Sequence, residues 1–398
     1  MAMYIARTAE DTVKKLSEQF KVLLITGARQ VGKSTLLKHC DENRNYVSLD
    51  DLTEREMAIN EPKLFLKNHP APLIIDEIQY APELLSYIKL AVDMSDKKGQ
   101  YWLTGSQQFQ MMKNISETLA GRVGIIDLLG FSLSEIAGNK NSQPFDLETE
   151  REGKKIYSVN EIFQAIYNGF YPALNNQEEL DRDIFYGSYL RTYIERDIRA
   201  LNFISDELKF LTFIRVIAAR TGQVLKYSEI AKEAEISEPT AKNWLSLLVA
   251  SNLVYLLPSY YKNINKRMTK MPKIYFLDTG LCAYLTGWNS AEVIQKGAMS
   301  GAFFETFVIS EILKSYFHNG KRPFIYWYRD TLKKEIDLLI EKNGKLQAIE
   351  IKLTANPNKS MIKNFSLIEN LSAGGIICMY EREMFLTEQV KIIPVFNI

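Results

Sequence analysis

Gly27-Ala28-Arg29-Gln30-Val31-Gly32-Lys33-Ser34 is the stretch on which the reading of this chain turns. Val22-Leu23-Leu24-Ile25 leads into it as a short apolar strand, and Thr35-Leu36-Leu37-Lys38 leaves it as the start of a helix. Strand, GxxxxGKS loop and helix, in that order, give the pattern a mechanism. The glycines let the main chain curl until successive N–H groups face inward at phosphate oxygens. The helix N-terminus adds partial positive charge. On this reading Gly27, Ala28, Arg29, Gln30, Val31, Gly32, Lys33, Ser34 and Thr35 form an ATP-binding stretch. Lys33 reaches the β- and γ-phosphates, and Ser34 offers its hydroxyl to Mg²⁺.

Leu73-Ile74-Ile75-Asp76-Glu77 is the second motif. Three apolar residues followed by two acids describe a buried parallel strand that ends at the C-terminal edge of a sheet. Ligands collect at that edge in open α/β sheets. Asp76 is expected to hold Mg²⁺ through water, and Glu77 to polarise the water that attacks the γ-phosphate. Further strands are predicted at Tyr46–Leu49, Tyr101–Thr104 and Val123–Leu128. Their alternation with helical segments predicts an α/β fold with a parallel sheet. Thr104 and Ser106, at the tip of Tyr101-Trp102-Leu103-Thr104, are candidates to sense the γ-phosphate. Arg122 closes Leu119-Ala120-Gly121-Arg122 just before the last strand. It is a candidate arginine finger, acting on a neighbouring subunit's nucleotide in a homo-oligomer; a plain complement to a helix dipole is the alternative.

The bulk numbers narrow the class. A chain of 398 residues has room for two to four domains. A net charge of +1 supplies no global field toward nucleic acid, so any basic surface is local. Hydrophobic content of 46% and charged content of 24% are ordinary for a globular protein. Cys40, Cys282 and Cys378 are odd in number and far apart, which points to reduced thiols rather than a disulfide framework or zinc site. Met1 to Glu10 has no apolar core of signal-peptide length. The longest apolar stretch, Leu245 to Leu257, is interrupted by Ser246, Ser251 and Asn252 and is too short to span a bilayer. A soluble cytoplasmic protein with no membrane partner is expected.

The motifs resemble those of AAA-type ATPases. More closely, the chain resembles a bacterial and archaeal group of them whose C-terminal part is called domain of unknown function 4143. The matching stretches are Thr26 to Ser34, Ile74-Ile75-Asp76-Glu77-Ile78-Gln79, Leu103-Thr104-Gly105-Ser106, Leu119-Ala120-Gly121-Arg122, Asn168-Gly169-Phe170-Tyr171-Pro172 and Tyr193-Ile194-Glu195-Arg196-Asp197. At Asn168 and Tyr171 the chain departs from the group's pattern, and no role is assigned there. The plan this gives is an ATPase domain over 1–135, a helical lid over 136–204, a winged helix over 205–285 and a restriction-endonuclease-like domain over 286–398. Gly138 to Lys155 reads as a polar loop. Arg191, Arg196 and Arg199 lie on the lid, where a solvated helix face is the favoured reading over phosphate contact.

The winged helix rests on its own pattern. Leu208 to Ala219 and Tyr227 to Ala234 read as helices, and Ser237 with Pro239 opens a third. Ala241, Trp244, Leu245 and Leu248 form its apolar stripe; Lys242, Asn243 and Ser246 lie opposite. Such spacing is a DNA-reading geometry. A strand at Leu253 to Pro258 and the basic run Lys262, Lys266, Arg267, Lys270 and Lys273, beside Tyr260 and Tyr261, would suit a wing on phosphates. A protein-contacting module and a solvated hairpin are the competing readings.

Glu335 to Lys352 reads as a β-hairpin turning at Asn343-Gly344. Folding on that turn sets Asp337 opposite Glu350, with Lys352 on the face of Glu350. Opposed like charges weaken a strand pair, and a divalent cation between them converts repulsion into coordination. The D…ExK pattern resembles the restriction-endonuclease-like nuclease fold. That resemblance implies Mg²⁺ on Asp337 and Glu350, Lys352 beside the reacting phosphate, and Glu305 as the preceding helical acid. Tyr326-Trp327-Tyr328-Arg329 leads into the hairpin. A catalytically silent nuclease fold, or a plain hairpin with Lys352 paired to Glu335, are the alternatives. The expectation is a Mg²⁺-dependent ATPase with a DNA-binding winged helix and a metal-dependent endonuclease centre. The alternative is a nucleotide-dependent regulatory scaffold acting on protein partners.

Overall fold

A computed structural model describes residues 4–105, 118–140, 143–148, 155–176, 180–193, 206–261, 267 and 270–398. The first part of the chain builds a five-stranded, all-parallel sheet in the order β2-β3-β4-β1-β5. Its strands are β1 (Val22–Thr26), β2 (Asn45–Ser48), β3 (Leu73–Asp76), β4 (Tyr101–Gly105) and β5 (Val123–Asp127). Because β1, β3 and β4 are covered on both faces, they are apolar at nearly every position. One face carries Val22, Leu24, Leu73, Ile75 and Leu103 against Leu84, Leu85, Ile88 and Val92 of the helix Leu84–Asp93. The other carries Leu23, Ile25, Ile74 and Ile126 against the helices Ala9–Gln19 and Lys33–Cys40. The crossover order puts β4 between β1 and β3. The tip of β4 therefore stands between the glycine loop and Asp76.

The middle of the chain is mostly helical. Ser158 and Ser237 cap the helices Val159–Asn168 and Glu238–Ala250 through their side-chain oxygens, the bonds that make serine a good helix start. Helix Glu207–Ala218, helix Tyr227–Glu233 and helix Glu238–Ala250 pack with the antiparallel pair β6 (Val254–Leu257) and β7 (Lys273–Phe276). Ala241, Trp244, Leu245 and Leu248 are buried as their spacing predicts, and Lys242, Asn243 and Ser246 are exposed.

The last part forms a six-stranded mixed sheet, β12-β13-β11-β10-β9-β8. Its strands are β8 (Ile325–Arg329), β9 (Glu335–Lys342), β10 (Lys345–Ile351), β11 (Leu371–Cys378), β12 (Met384–Thr387) and β13 (Val390–Pro394). Lys345 pairs Lys342 across the Asn343-Gly344 turn, as the sequence predicts. The helix Ser300–Phe317 binds the parts together. It is apolar almost all round, and such a helix must be buried on every side. Phe303, Phe307, Ile309 and Ile312 belong to an apolar cluster that also contains Leu23 of the first sheet and Leu338 and Ile349 of the last.

Candidate nucleotide site and carboxylate cluster

The glycine loop leaves β1 at Gly27, whose φ is +148°; a Cβ there would strike the Leu128 carbonyl oxygen. Gly32 (φ +90°) and Gln30 (φ +61°) complete the left-handed turns that curl the loop. The helix Lys33–Cys40 begins with no side chain capping it. A helix N-terminus that follows a glycine in this way suits an anion. Lys33 is buried, and its Nζ donates to the carbonyls of Gly27 (3.1 Å) and Ala28 (2.9 Å).

Asp76 gathers hydroxyls. Oδ1 accepts from Ser34 Oγ at 2.7 Å and from Thr104 Oγ1, and Oδ2 accepts from the Tyr46 hydroxyl at 2.9 Å. Thr104 Oγ1 in turn accepts from the Glu77 N–H at 3.1 Å. Glu77 adopts φ +59°, and its Oε2 accepts from Gln79 Nε2. The structure thus brings Ser34, Asp76, Glu77 and Thr104 together beside the loop. These donors fit Mg²⁺: a carboxylate and a serine hydroxyl are hard oxygen ligands, and this cation keeps several waters of its own. Tyr46 and Gln79 were not legible as site residues. Tyr46 reaches Asp76 because β2 pairs with β3, an adjacency that no local pattern announces. Burial and the nearby Asp76 charge push the Tyr46 hydroxyl above its ordinary pKa, so it remains a donor.

Arg122 lies at the other end of the sheet. Its carbonyl accepts from the Val22 N–H, five residues before the loop, and its guanidinium grips Asp93 at 2.6 and 3.0 Å. It does not meet this chain's own loop. Ser106, Arg196 and Arg199 lie outside the described residues; Arg191 is exposed, as a solvated helix face requires.

In the last sheet, Lys352 Nζ stands between Asp337 Oδ2 (2.8 Å) and Glu350 Oε2 (2.7 Å). Asp337 Oδ2 also accepts from the Ile351 N–H at 2.8 Å. The plain-hairpin alternative, in which Lys352 pairs Glu335, is corrected: Glu335 sits by Arg329 (3.3 Å) and Lys273 (3.9 Å). Burial, then the Asp337 charge, push the Glu350 carboxyl up to about 8. Burial also opposes the charge on Asp337, but Lys352 and Lys273 outweigh it and hold that carboxyl below its ordinary range. Glu350 Oε1 is buried with no hydrogen-bond donor on it. Glu305 accepts from the Tyr275 hydroxyl (2.5 Å) and Lys273 Nζ (3.1 Å). Among the described residues, no three His, Cys, Asp or Glu side chains gather into a metal-holding group.

The basic run is corrected at two positions, Lys273 and Arg267. Lys273 is buried and faces the helix Ser300–Phe317. Arg267 is largely covered; it lies over the rings of Tyr260 and Tyr326 and bonds Glu341 at 2.9 Å. Only Lys270 of the run is seen exposed, with Lys262 and Lys266 outside the described residues. The signal was the i, i+2 spacing of Lys273 and Tyr275, which puts both on the one face of β7 that meets Glu305.

Parts of the chain are similar to known proteins. Residues 19–137 match the model of an AAA domain, residues 159–292 a domain of unknown function (DUF8612), and residues 300–398 a domain of unknown function (DUF4143). Uncharacterized proteins of Mycobacterium tuberculosis and Mycobacterium bovis are each 25% identical over 390 residues, covering 98% of this chain and 83% of the relative. A Walker-type ATPase of Pyrococcus abyssi is similar at 16% identity and a TM-score of 0.45, over 70% of this chain and 94% of that one. The chain therefore carries an AAA domain over residues 19–137 and a DUF4143 domain over residues 300–398. None of the described helices is long and apolar enough to cross a membrane.

Proposed function

We propose that this protein hydrolyses ATP with Mg²⁺ at the glycine loop and uses that cycle to set how its C-terminal half engages DNA. The observation that carries the reading is the convergence of Ser34 and Thr104 on Asp76 beside the N-terminus of the helix Lys33–Cys40. Ser34, and Asp76 through water, would hold magnesium, which would supply charge neutralisation at the β- and γ-phosphates. Lys33 leaves the loop carbonyls for the phosphate oxygens, where its ammonium offsets the same charge. Glu77, steadied by Gln79, orients a water and takes its proton as the oxygen attacks phosphorus. The bond from phosphorus to the β,γ-bridging oxygen breaks, and ADP carries that oxygen away. Thr104 ties Glu77 to Asp76, so the two acids keep one spacing. A catalytic Arg122 would act on a second copy, since its own loop lies at the opposite end of the sheet.

DNA contact is supported by the exposed Lys242, Asn243 and Ser246 on the helix Glu238–Ala250. The test is steady-state ATP turnover with and without Mg²⁺ and with added duplex. Turnover that needs Mg²⁺ and rises with DNA supports the reading. Turnover indifferent to DNA removes the DNA part and leaves the ATPase.

A second reading concerns the carboxylate cluster. Glu350 Oε1, buried without a donor next to Asp337, is an oxygen that a divalent cation would satisfy. Asp337 and Glu350 would hold the cation, which would supply a polarised water for phosphodiester cleavage. Lys352 would then move from the carboxylates toward the reacting phosphate. Mg²⁺-dependent nicking of plasmid by the wild type and not by Asp337→Ala supports it. If both behave alike and DNA leaves ATP turnover unchanged, the C-terminal half is a scaffold for protein partners.

A further inference from the structure

Arg7 belongs to none of the motifs, yet it is only 2% exposed and its guanidinium touches the glycine loop. Nη1 donates to the Val31 carbonyl at 3.1 Å, and Nη2 to the carbonyls of Leu129 (2.8 Å) and Gly130 (3.3 Å). Val31 lies in the loop; Leu129 and Gly130 follow β5, next to the Leu128 carbonyl that crowds Gly27. One side chain thus fastens the loop to the exit of the neighbouring strand. Arginine spreads five donors over separate nitrogens in one fixed plane and so reaches carbonyls on two segments, whereas the donors of a lysine all sit on a single nitrogen.

A buried cation needs a counter-charge. Glu135, 0% exposed, supplies it: Oε2 is 3.3 Å from Arg7 Nε. Glu135 also accepts from the N–H groups of Thr8 (2.7 Å) and Ser132 (2.9 Å). Its second side-chain neighbour is His318, whose Nδ1 is 3.2 Å from Oε1. His318 Nε2 accepts from the Leu129 N–H at 3.3 Å. A backbone N–H can only donate, so Nε2 carries no proton and the ring is the neutral Nδ1–H tautomer, donating to Glu135. Burial, which holds His318 below its ordinary pKa, agrees. His318 follows directly on the helix Ser300–Phe317, and its carbonyl accepts from Thr12 Oγ1 at 2.8 Å. The first helix of the DUF4143 domain therefore ends on the residue that orients Glu135 and Leu129 around Arg7.

We propose that Arg7 is a positioning residue for the phosphate loop, and that His318 links its hold to the C-terminal domain. Nucleotide affinity and the setting of the helix Ser300–Phe317 are then coupled. The proposal rests on the nucleotide-site reading above. Coupling is reciprocal, so nucleotide must leave a mark at His318 just as His318 must leave one on nucleotide affinity.

Two measurements on the full chain test it: titration with a fluorescent ATP analogue in Mg²⁺, and backbone hydrogen exchange over residues 311–320 with and without that nucleotide. Arg7→Lys is expected to weaken nucleotide binding about tenfold or more. His318→Gln, which can accept from Leu129 and donate to Glu135, is expected to stay within about threefold of wild type. His318→Ala is expected to lose affinity and the nucleotide-dependent slowing of exchange that wild type shows at 311–320. A structural role alone lowers the melting temperature of Arg7→Lys while the folded protein binds nucleotide as wild type does; that result overturns the proposal. So does nucleotide binding by wild type with no change in exchange at 311–320. A wild type that binds no nucleotide overturns the site reading itself, a different result from either.

Discussion

The two acid sites of this chain are satisfied in opposite ways. At the glycine loop, Asp76 is surrounded by three neutral hydroxyls, from Ser34, Thr104 and Tyr46. In the last sheet, Asp337 and Glu350 share the ammonium of Lys352, and Glu305 is paired with Lys273. A hydroxyl can turn its oxygen toward an arriving cation and stay in place. An ammonium must be displaced, because it repels that cation at close range in a weakly screened interior. The first site is built to receive a metal at little cost. The second already holds its positive charge, so any metal there must compete with a lysine.

The largest effect is expected at the first site. Lys33→Ala removes the ammonium that the carbonyls of Gly27 and Ala28 hold in readiness, and kcat/KM for ATP should fall on the order of 10³-fold. Turnover that survives would break the comparison at its root. Glu77→Gln should cut kcat by about 10²-fold while nucleotide binding, read by titration, is retained; a parallel loss of binding would place Glu77 among the phosphate contacts instead.

At the second site the sharper measurement is pH. Burial and Asp337 raise the Glu350 carboxyl to about 8, well above its value in an unfolded chain. A raised acid contributes stability that is complete below its unfolded pKa and is lost as pH climbs through the folded one. Wild type should therefore lose stability between about pH 4 and 8 relative to Glu350→Gln, with about 5 kcal/mol as the upper bound. The two melting temperatures should lie nearest each other at about pH 4, and the variant should be the more stable at pH 9. Equal curves would mean that Glu350 ionises without penalty and that Lys352 alone compensates both acids. The smallest change is Tyr46→Phe. It deletes one of three hydroxyls on Asp76, a bond of about 0.5–1.5 kcal/mol, and should raise KM for MgATP by no more than about tenfold.

The same contrast explains what could be read in advance. The loop is eight contiguous residues whose backbone is the binding device, and Asp76-Glu77 ends an apolar strand, so local pattern sufficed. The Asp337–Glu350 facing was legible because an Asn-Gly turn sets the ladder's register. What escaped notice arrives from distant elements. Tyr46 depends on which strand neighbours β3; Lys273 and Tyr275 come from β7 to Glu305; Arg267, read as a wing cation, is drawn onto two tyrosine rings. The stretch Asn168 to Pro172, left without a role, packs Pro172 against Gly32 of the loop. Nothing in the spacing of those five residues indicates that neighbour.

The helix Ser300–Phe317 offers no polar face to water. A truncation ending before it would bare the apolar residues it covers, Phe170 among them, and a fragment starting at it would expose the opposite side of the same seam. Neither piece should stay dispersed in solution. Any division of labour between nucleotide turnover and the C-terminal sheet has to be dissected by point substitution within the intact polypeptide, because scissors would destroy what they were meant to separate.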